Sequence, residues 1–143
     1  MPVFTVSTDP GLLDFGYIHH FLARQSYWAR GINSETLRKA MQHSLCFGGY
    51  YQGRQVAFAR VVTDYATFAY LRDVFVDPAM RRRGFGKQLL HAIVQHPDMQ
   101  SLTMLLHTND AHGFYRQFGF YQPALPQRQM LRSAHKNAIA RIA

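Results

Sequence analysis

The stretch Leu71 to Lys87, LRDVFVDPAMRRRGFGK, decides how this chain is read. Val74-Phe75-Val76 closes an apolar, partly β-branched run, Asp77-Pro78 breaks it, and Arg81-Arg82-Arg83 leads into Gly84-Phe85-Gly86. That order predicts a strand, a turn and the start of a helix. A helix opening on Gly-Phe-Gly offers unpaired backbone N–H groups and the positive end of its dipole, with no Cβ to hold a ligand away. Such a terminus suits a phosphate.

Spacing narrows the choice of phosphate ligand. A dinucleotide fingerprint needs a small residue where Leu89 stands. A Walker loop needs Gly where Arg81 stands, and Ser or Thr where Gln88 follows Lys87. Both motifs fail. What remains is Arg81-x-x-Gly84-x-Gly86 directly after a buried strand, followed downstream by Ala111-x-x-x-Tyr115 and Gly119-Phe120 in HTNDAHGFYRQFGFYQP. Over roughly residues 45 to 122 the chain resembles the GCN5-related N-acetyltransferases (GNAT), whose acyl-coenzyme A signature this is.

The resemblance implies an α/β fold: a mixed sheet with antiparallel N-terminal strands, a central parallel pair that splays apart, and helices on both faces. It implies an acyltransferase of the EC 2.3.1 type that passes an acetyl group from acetyl-coenzyme A to a primary amine by direct attack on the thioester. A non-catalytic acyl-coenzyme A binding or sensor module is the alternative. On this pattern Val74, Phe75 and Val76 bind pantetheine through their backbone. The amides of Arg82 to Lys87, passing through Gly84, Phe85 and Gly86, wrap the pyrophosphate, with Arg81, Arg82 and Arg83 adding charge. Tyr115 matches the family's tyrosine, the acid for the departing thiolate. Relatives often carry an Asn that touches pantetheine; here Thr108 holds that place and Asn109 is one residue off. Many place a Glu base where this chain has Tyr70, so that role does not transfer. Asp73 is the carboxylate within the strand and the expected base or amine-attracting group, with an Arg salt bridge as the other reading. His107 and His112 are further candidates. In the family the turn holding Tyr27 and Trp28 arches over the acceptor. With Tyr65 and Tyr70, these two form an aromatic lining expected to favour a small amine over a protein, unless they plug the core.

The chain has 143 residues, of which 48% are hydrophobic and 14% aromatic, enough for one globular domain. We assign that domain to residues 1–132, leaving 133–143 as a tail that is either a packing arm or disordered. No leader or membrane-length apolar window is present, so a soluble cytoplasmic protein with no membrane partner is expected. The net charge of +8 attracts anions. Its basic residues are scattered apart from the Arg81 cluster, however, and no nucleic-acid signature accompanies them, so no nucleic-acid partner is expected. A homodimer is left open. Adjacent His19 and His20 cannot share a helical face, so no metal is expected. Cys46 lies in an apolar strand and reads as an inert buried thiol.

The remaining elements follow from periodicity. Val3 to Ser7 predicts a short strand, Leu12 to Ala23 a helix, and Asn33-Ser34-Glu35 the start of a second helix. Strands are predicted over 45–52, 55–63 and 67–77 as an antiparallel meander. A helix follows from Gly84 to about His96. Ser101 to His107, apolar on both faces, predicts a central buried strand parallel to the third of the meander. A short helix over about 110–118 and an edge strand at Gln127 to Leu131 complete the reading.

Overall fold

β-Branched and aromatic residues build β2 (Leu45–Tyr51), β3 (Arg54–Thr63) and β4 (Phe68–Val76), flanked by β1 (Thr5–Ser7) and β5 (Thr103–Leu105). In the computed structural model, which describes residues 2–124 and 126–134, these form one sheet in the order β1-β2-β3-β4-β5. Successive pairs are antiparallel except β4 and β5, which run parallel. β3 is buried from Gln55 to Val61 and is the centre of the sheet.

Helices cover both faces. On one side α3 (Phe85–Gln95) sets Phe85, Leu89, Leu90 and Ile93 against Phe47, Val61 and Leu71. On the other, α1 (Phe15–His20), its π-helical continuation Phe21–Gln25, and α2 (Ser34–Gln42) pack Ile18, Phe21, Leu22 and Leu37 against Phe58 and Phe75. Asp14 and Asn33 cap α1 and α2 by accepting from backbone N–H groups of the first turn. The Asp14 cap explains why the first helix starts at Phe15 and leaves Leu12, where the periodicity placed its start, exposed in a 3-10 turn. A last short helix, α4, spans His112–Arg116.

Two expectations are corrected. Among the described residues β5 lies at the sheet edge and is only half-buried, because its outer side faces a cavity of about 640 Å³ shared with Phe118, Phe120 and Tyr121. An apolar strand thus need not be central. The edge strand expected at 127–131 is absent: Pro126–Arg128 forms a 3-10 turn and Met130 is fully exposed. The tail from residue 135 lies outside the described residues.

Two features of β4 shape what lies beside it. Between Phe58 and Arg60 of β3 the register slips, and β4 places one extra residue at Asp73-Val74. Asp73 there has φ +54°, a left-handed conformation that a strand rarely holds. Its pairing with β5 stops at Tyr70 opposite Leu105, so from Leu71 onward that edge of β4 has no strand beside it among the described residues.

The start of α3 is pinned by a ring stack. Phe4 lies over Phe85 at 4.4 Å between centroids, and Tyr51 meets the same ring at 5.0 Å. Phe4 has room only because residue 49 is glycine: a Cβ there would come within 2.5 Å of the Phe4 ring and 2.8 Å of Ala57. Gly49→Ala should therefore destabilise the fold by about 1–3 kcal/mol, an overpacking penalty that urea denaturation will measure. Wild-type stability would show that Phe4 is not held as described.

Candidate active site

The first wall is the turn into α3. Asp77 closes the 3-10 turn Pro78–Met80 by accepting from the Ala79 N–H at 2.9 Å, and takes the Tyr17 hydroxyl at 3.0 Å. Arg82 at φ +66° and Gly84 at φ +80° then bend the chain sharply into the helix. Alternating left-handed residues of this kind turn successive N–H groups towards one point. Gly84 is the N-cap and supplies no side-chain acceptor, so the first amides of α3 keep their donors for something else. A Cβ on Gly84 would meet no protein atom within 4 Å, which leaves the approach to those amides open. Arg81 and Arg82 border the same cleft, whereas Arg83 turns away to lie 5.8 Å over the Tyr51 ring.

The second wall is the separated pair β4 and β5. The cleft between them has a volume of about 640 Å³ and runs from Leu71–Val76 to Leu106, Thr108, Ala111, Phe114 and Tyr115. Thr108 lines it and accepts from the Ala111 N–H at 3.1 Å, while Asn109 is exposed and outside the lining. Leu106, His107, Thr108 and Tyr115 border both this cleft and the cavity beyond β5. Burial pushes the Tyr115 phenol up to about 12, helped by Tyr27 and Asp110 nearby. It stays protonated at neutral pH, so it is a hydrogen-bond donor throughout that range.

The third wall comes from the segment after α1. Tyr27 and Trp28 meet edge to face at 5.1 Å and both border the cleft, with Trp28 also packed on the core beneath α1. Sequence reasoning offered core or cleft for these two; Trp28 occupies both. Tyr65, at the tip of the β3–β4 hairpin, is half exposed and does not reach the cleft. Tyr70 is also outside its lining and instead makes a 2.7 Å hydrogen bond to His107 Nδ1 at the rim.

Asp73 is engaged on both carboxylate oxygens. Oδ1 accepts from the Trp28 indole N–H at 2.9 Å, and Oδ2 pairs with Arg60 Nε at 2.8 Å. Arg60 also donates to Ser44 Oγ at 3.1 Å, and the Ser44 hydroxyl donates to the Ala40 carbonyl near the end of α2 at 2.7 Å. With both oxygens so engaged, the geometry favours for Asp73 the Arg salt bridge that the sequence left open, an anchoring role, over that of base or amine-attracting group. Arg60 is not among the candidates read from the sequence, although an Arg on the buried face of VAFARVVT demands a buried anion.

The arrangement offers a phosphate-sized ring of amides, an open strand edge, a buried phenol and an aromatic mouth along one cleft. A sequence model of the acetyltransferase (GNAT) domain matches residues 42–122. A Gibberella zeae protein assigned to the acetyltransferases is 30% identical over 138 residues, 81% of this chain and 78% of its own length. The chain belongs to the GCN5-related N-acetyltransferases. A crystal structure of a GNAT-family protein from Xanthomonas campestris pv. campestris, assigned as an acetyltransferase, superposes with TM-score 0.90 at 52% identity, covering 94% of this chain and 95% of that one. The ribosomal-protein-S18-alanine N-acetyltransferase of Escherichia coli shares the GNAT fold with TM-score 0.66 at 22% identity, covering 85% and 80%. Glucosamine-6-phosphate N-acetyltransferase of Arabidopsis thaliana shares it with TM-score 0.60 at 12% identity, covering 93% and 99%. This GNAT chain is thus an acetyl-transferring enzyme of the EC 2.3.1 class. No helix among its described residues is long and apolar enough to cross a membrane, and no group of His, Cys, Asp and Glu there could hold a metal ion.

Removing one partner of the buried pair tests the anchor. Arg60→Ala leaves Asp73 buried without its cation and should cost about 3–5 kcal/mol in urea denaturation, with an altered Trp28 emission because the carboxylate that accepts from the indole is no longer held from its other side. Unchanged stability and emission would mean that the pair does not hold this wall.

Proposed function

We propose that this enzyme transfers the acetyl group of acetyl-coenzyme A to a small primary amine, with the amine held at the Tyr27–Trp28 mouth. The observation that carries the reading is the placement of that aromatic mouth and Tyr115 on one cleft that ends at the α3 amides. The fit of the coenzyme rests on Gly84, where the approach to unpartnered helix amides is open.

When bound, acetyl-coenzyme A supplies the acetyl group as an activated thioester. The amides at Arg82 to Lys87 hold its pyrophosphate, with Arg81 and Arg82 adding positive charge and Arg83 contributing only at longer range. The open edge at Val74 to Val76 accepts the pantetheine amides as a false strand, and an N–H on that edge polarises the thioester carbonyl. Thr108 sits beside this path, and Asn109 does not. Tyr115 donates to the sulfur. With burial pushing the phenol up to about 12, well above an ordinary thiol, full proton transfer to the thiolate is uphill and the hydrogen bond is its main contribution.

Trp28, fixed by Asp73, and Tyr27 give the acceptor an apolar, π-rich surface. Such a mouth suits a compact alkyl- or arylamine, and attracts its charged form. The +8 charge works against a lysine-rich peptide at long range.

Acetyl-coenzyme A at millimolar concentration should raise the melting temperature, by linkage to the folded state. Small aryl- and alkylamines should exceed lysine-rich peptides in kcat/KM, measured by thiol release. Tyr115→Phe should lower kcat by roughly tenfold to a thousandfold with the coenzyme-induced thermal shift retained, and Trp28→Ala should raise KM for the amine more than it lowers kcat. A preference for basic peptides would overturn the acceptor, and an absent thermal shift would overturn the coenzyme site.

A further inference from the structure

The acetyl-transfer reading leaves one proton without a destination, because both oxygens of Asp73 are engaged and the family's Glu is replaced by Tyr70. The rung Tyr70–Leu105 is the last at which β4 and β5 are paired. His107 lies two residues beyond it, where the strands part, and borders both the cleft and the cavity on the far side of β5. Its Nδ1 is held by the Tyr70 hydroxyl at 2.7 Å, with the two rings edge to face at 5.5 Å. The ring is therefore oriented by β4, and Nε2 is the nitrogen left for a ligand.

We propose that His107, positioned by Tyr70, is the general base that takes the proton of the acceptor amine. This rests on the acetyl-transfer reading and names the group which that reading lacks. Nε2 takes one proton from the acceptor ammonium, leaving the free amine and an imidazolium whose Nδ1–H donates to Tyr70 Oη. As the nitrogen–carbon bond forms and the carbon–sulfur bond breaks, the second proton leaves the nitrogen and ends on the thiolate, beside the Tyr115 hydroxyl. The products are the acetamide and the free thiol. The imidazolium then returns its proton to solvent, so one proton is released for each ammonium consumed.

The surroundings favour this state of the ring. Tyr70 bonds it and Arg72 acts on it from β4; Asp110, His112, Tyr115 and Arg116 share its two cavities from the side of α4, and Tyr27 and Asp73 line the same cleft. Burial, and then the Arg72 cation, hold the His107 pKa below its ordinary value. The imidazole is thus neutral and able to accept at pH 7, and loses that ability only as the pH falls through the lowered value.

The test is thiol release from acetyl-coenzyme A with a panel of 2-phenylethylamine, tyramine, spermidine and a lysine peptide, followed from pH 5 to 10 with the best acceptor. The unaltered enzyme should lose kcat/KM on the acidic side through the His107 ionisation. His107→Gln should lose roughly a hundredfold at pH 7, then recover towards the parent rate as the pH passes the amine's own pKa and the acceptor deprotonates unaided. Tyr70→Phe should lose about tenfold, with the acidic limb displaced but present. Both variants should keep the thermal shift caused by acetyl-coenzyme A. A parent-like profile in His107→Gln overturns the proposal, as does a uniform loss with unchanged pH dependence, which would reduce the Tyr70–His107 bond to a strand clasp. No turnover by the parent with any amine, or no thermal shift, would instead count against the acetyl-transfer reading itself and remove the proposal with it.

Discussion

A strand that loses its neighbour part-way along must give its backbone N–H and C=O groups to some other partner, and β4 loses β5 after Tyr70. Everything that distinguishes this sheet follows from that separation. The extra residue at Asp73-Val74 increases the local twist and bends β4 away, and the left-handed φ at Asp73 is the conformational cost. A cleft opens between the strands, closed at one end by the amides of α3 and at the other by Tyr27 and Trp28.

The strained residue is the one most firmly held. Asp73 is 4% exposed, and its partners come from β3 and from the segment after α1, with Ser44 extending the network to the end of α2. A buried ion pair contributes little net stability because desolvation offsets its attraction. Its effect here is on geometry: it fixes the indole over the cleft and holds the bulge in one conformation. The ring stack of Phe4 on Phe85 does the same for α3, so both ends of the cleft are set by contacts that reach across the sheet order.

What was legible in the sequence was local. The strand, Asp-Pro break and glycine-started helix at 71–87 announce themselves through propensity and turn chemistry, and the strands of the meander fell within a residue or two of their expected ends. Long-range pairings were not legible. Arg60 with Asp73, and Tyr70 with His107, join residues whose sequence separation carries no periodic signal. β5 misled for a different reason, since apolar residues facing a cavity look the same in sequence as apolar residues facing a strand. Asn109 and Tyr65 show the limit of register arguments. Asn109 lies between the cleft-lining Thr108 and Asp110 yet stays outside, and Tyr65 sits at the exposed tip of the β3–β4 hairpin, because a loop residue's direction is set by turn geometry that local sequence does not specify.

In the proposed complex the edge of β4 at Val74 to Val76, beyond its pairing with β5, and the first turn of α3 form one continuous backbone surface for an acyl-coenzyme A. Amide hydrogen exchange with and without acetyl-coenzyme A tests it residue by residue. Protection should rise at Val74 to Val76 and at Gly84 to Lys87, while the already paired amides of β2 and β3 change little. Unaltered exchange across both segments, with protection confined to other parts of the chain, would contradict the account.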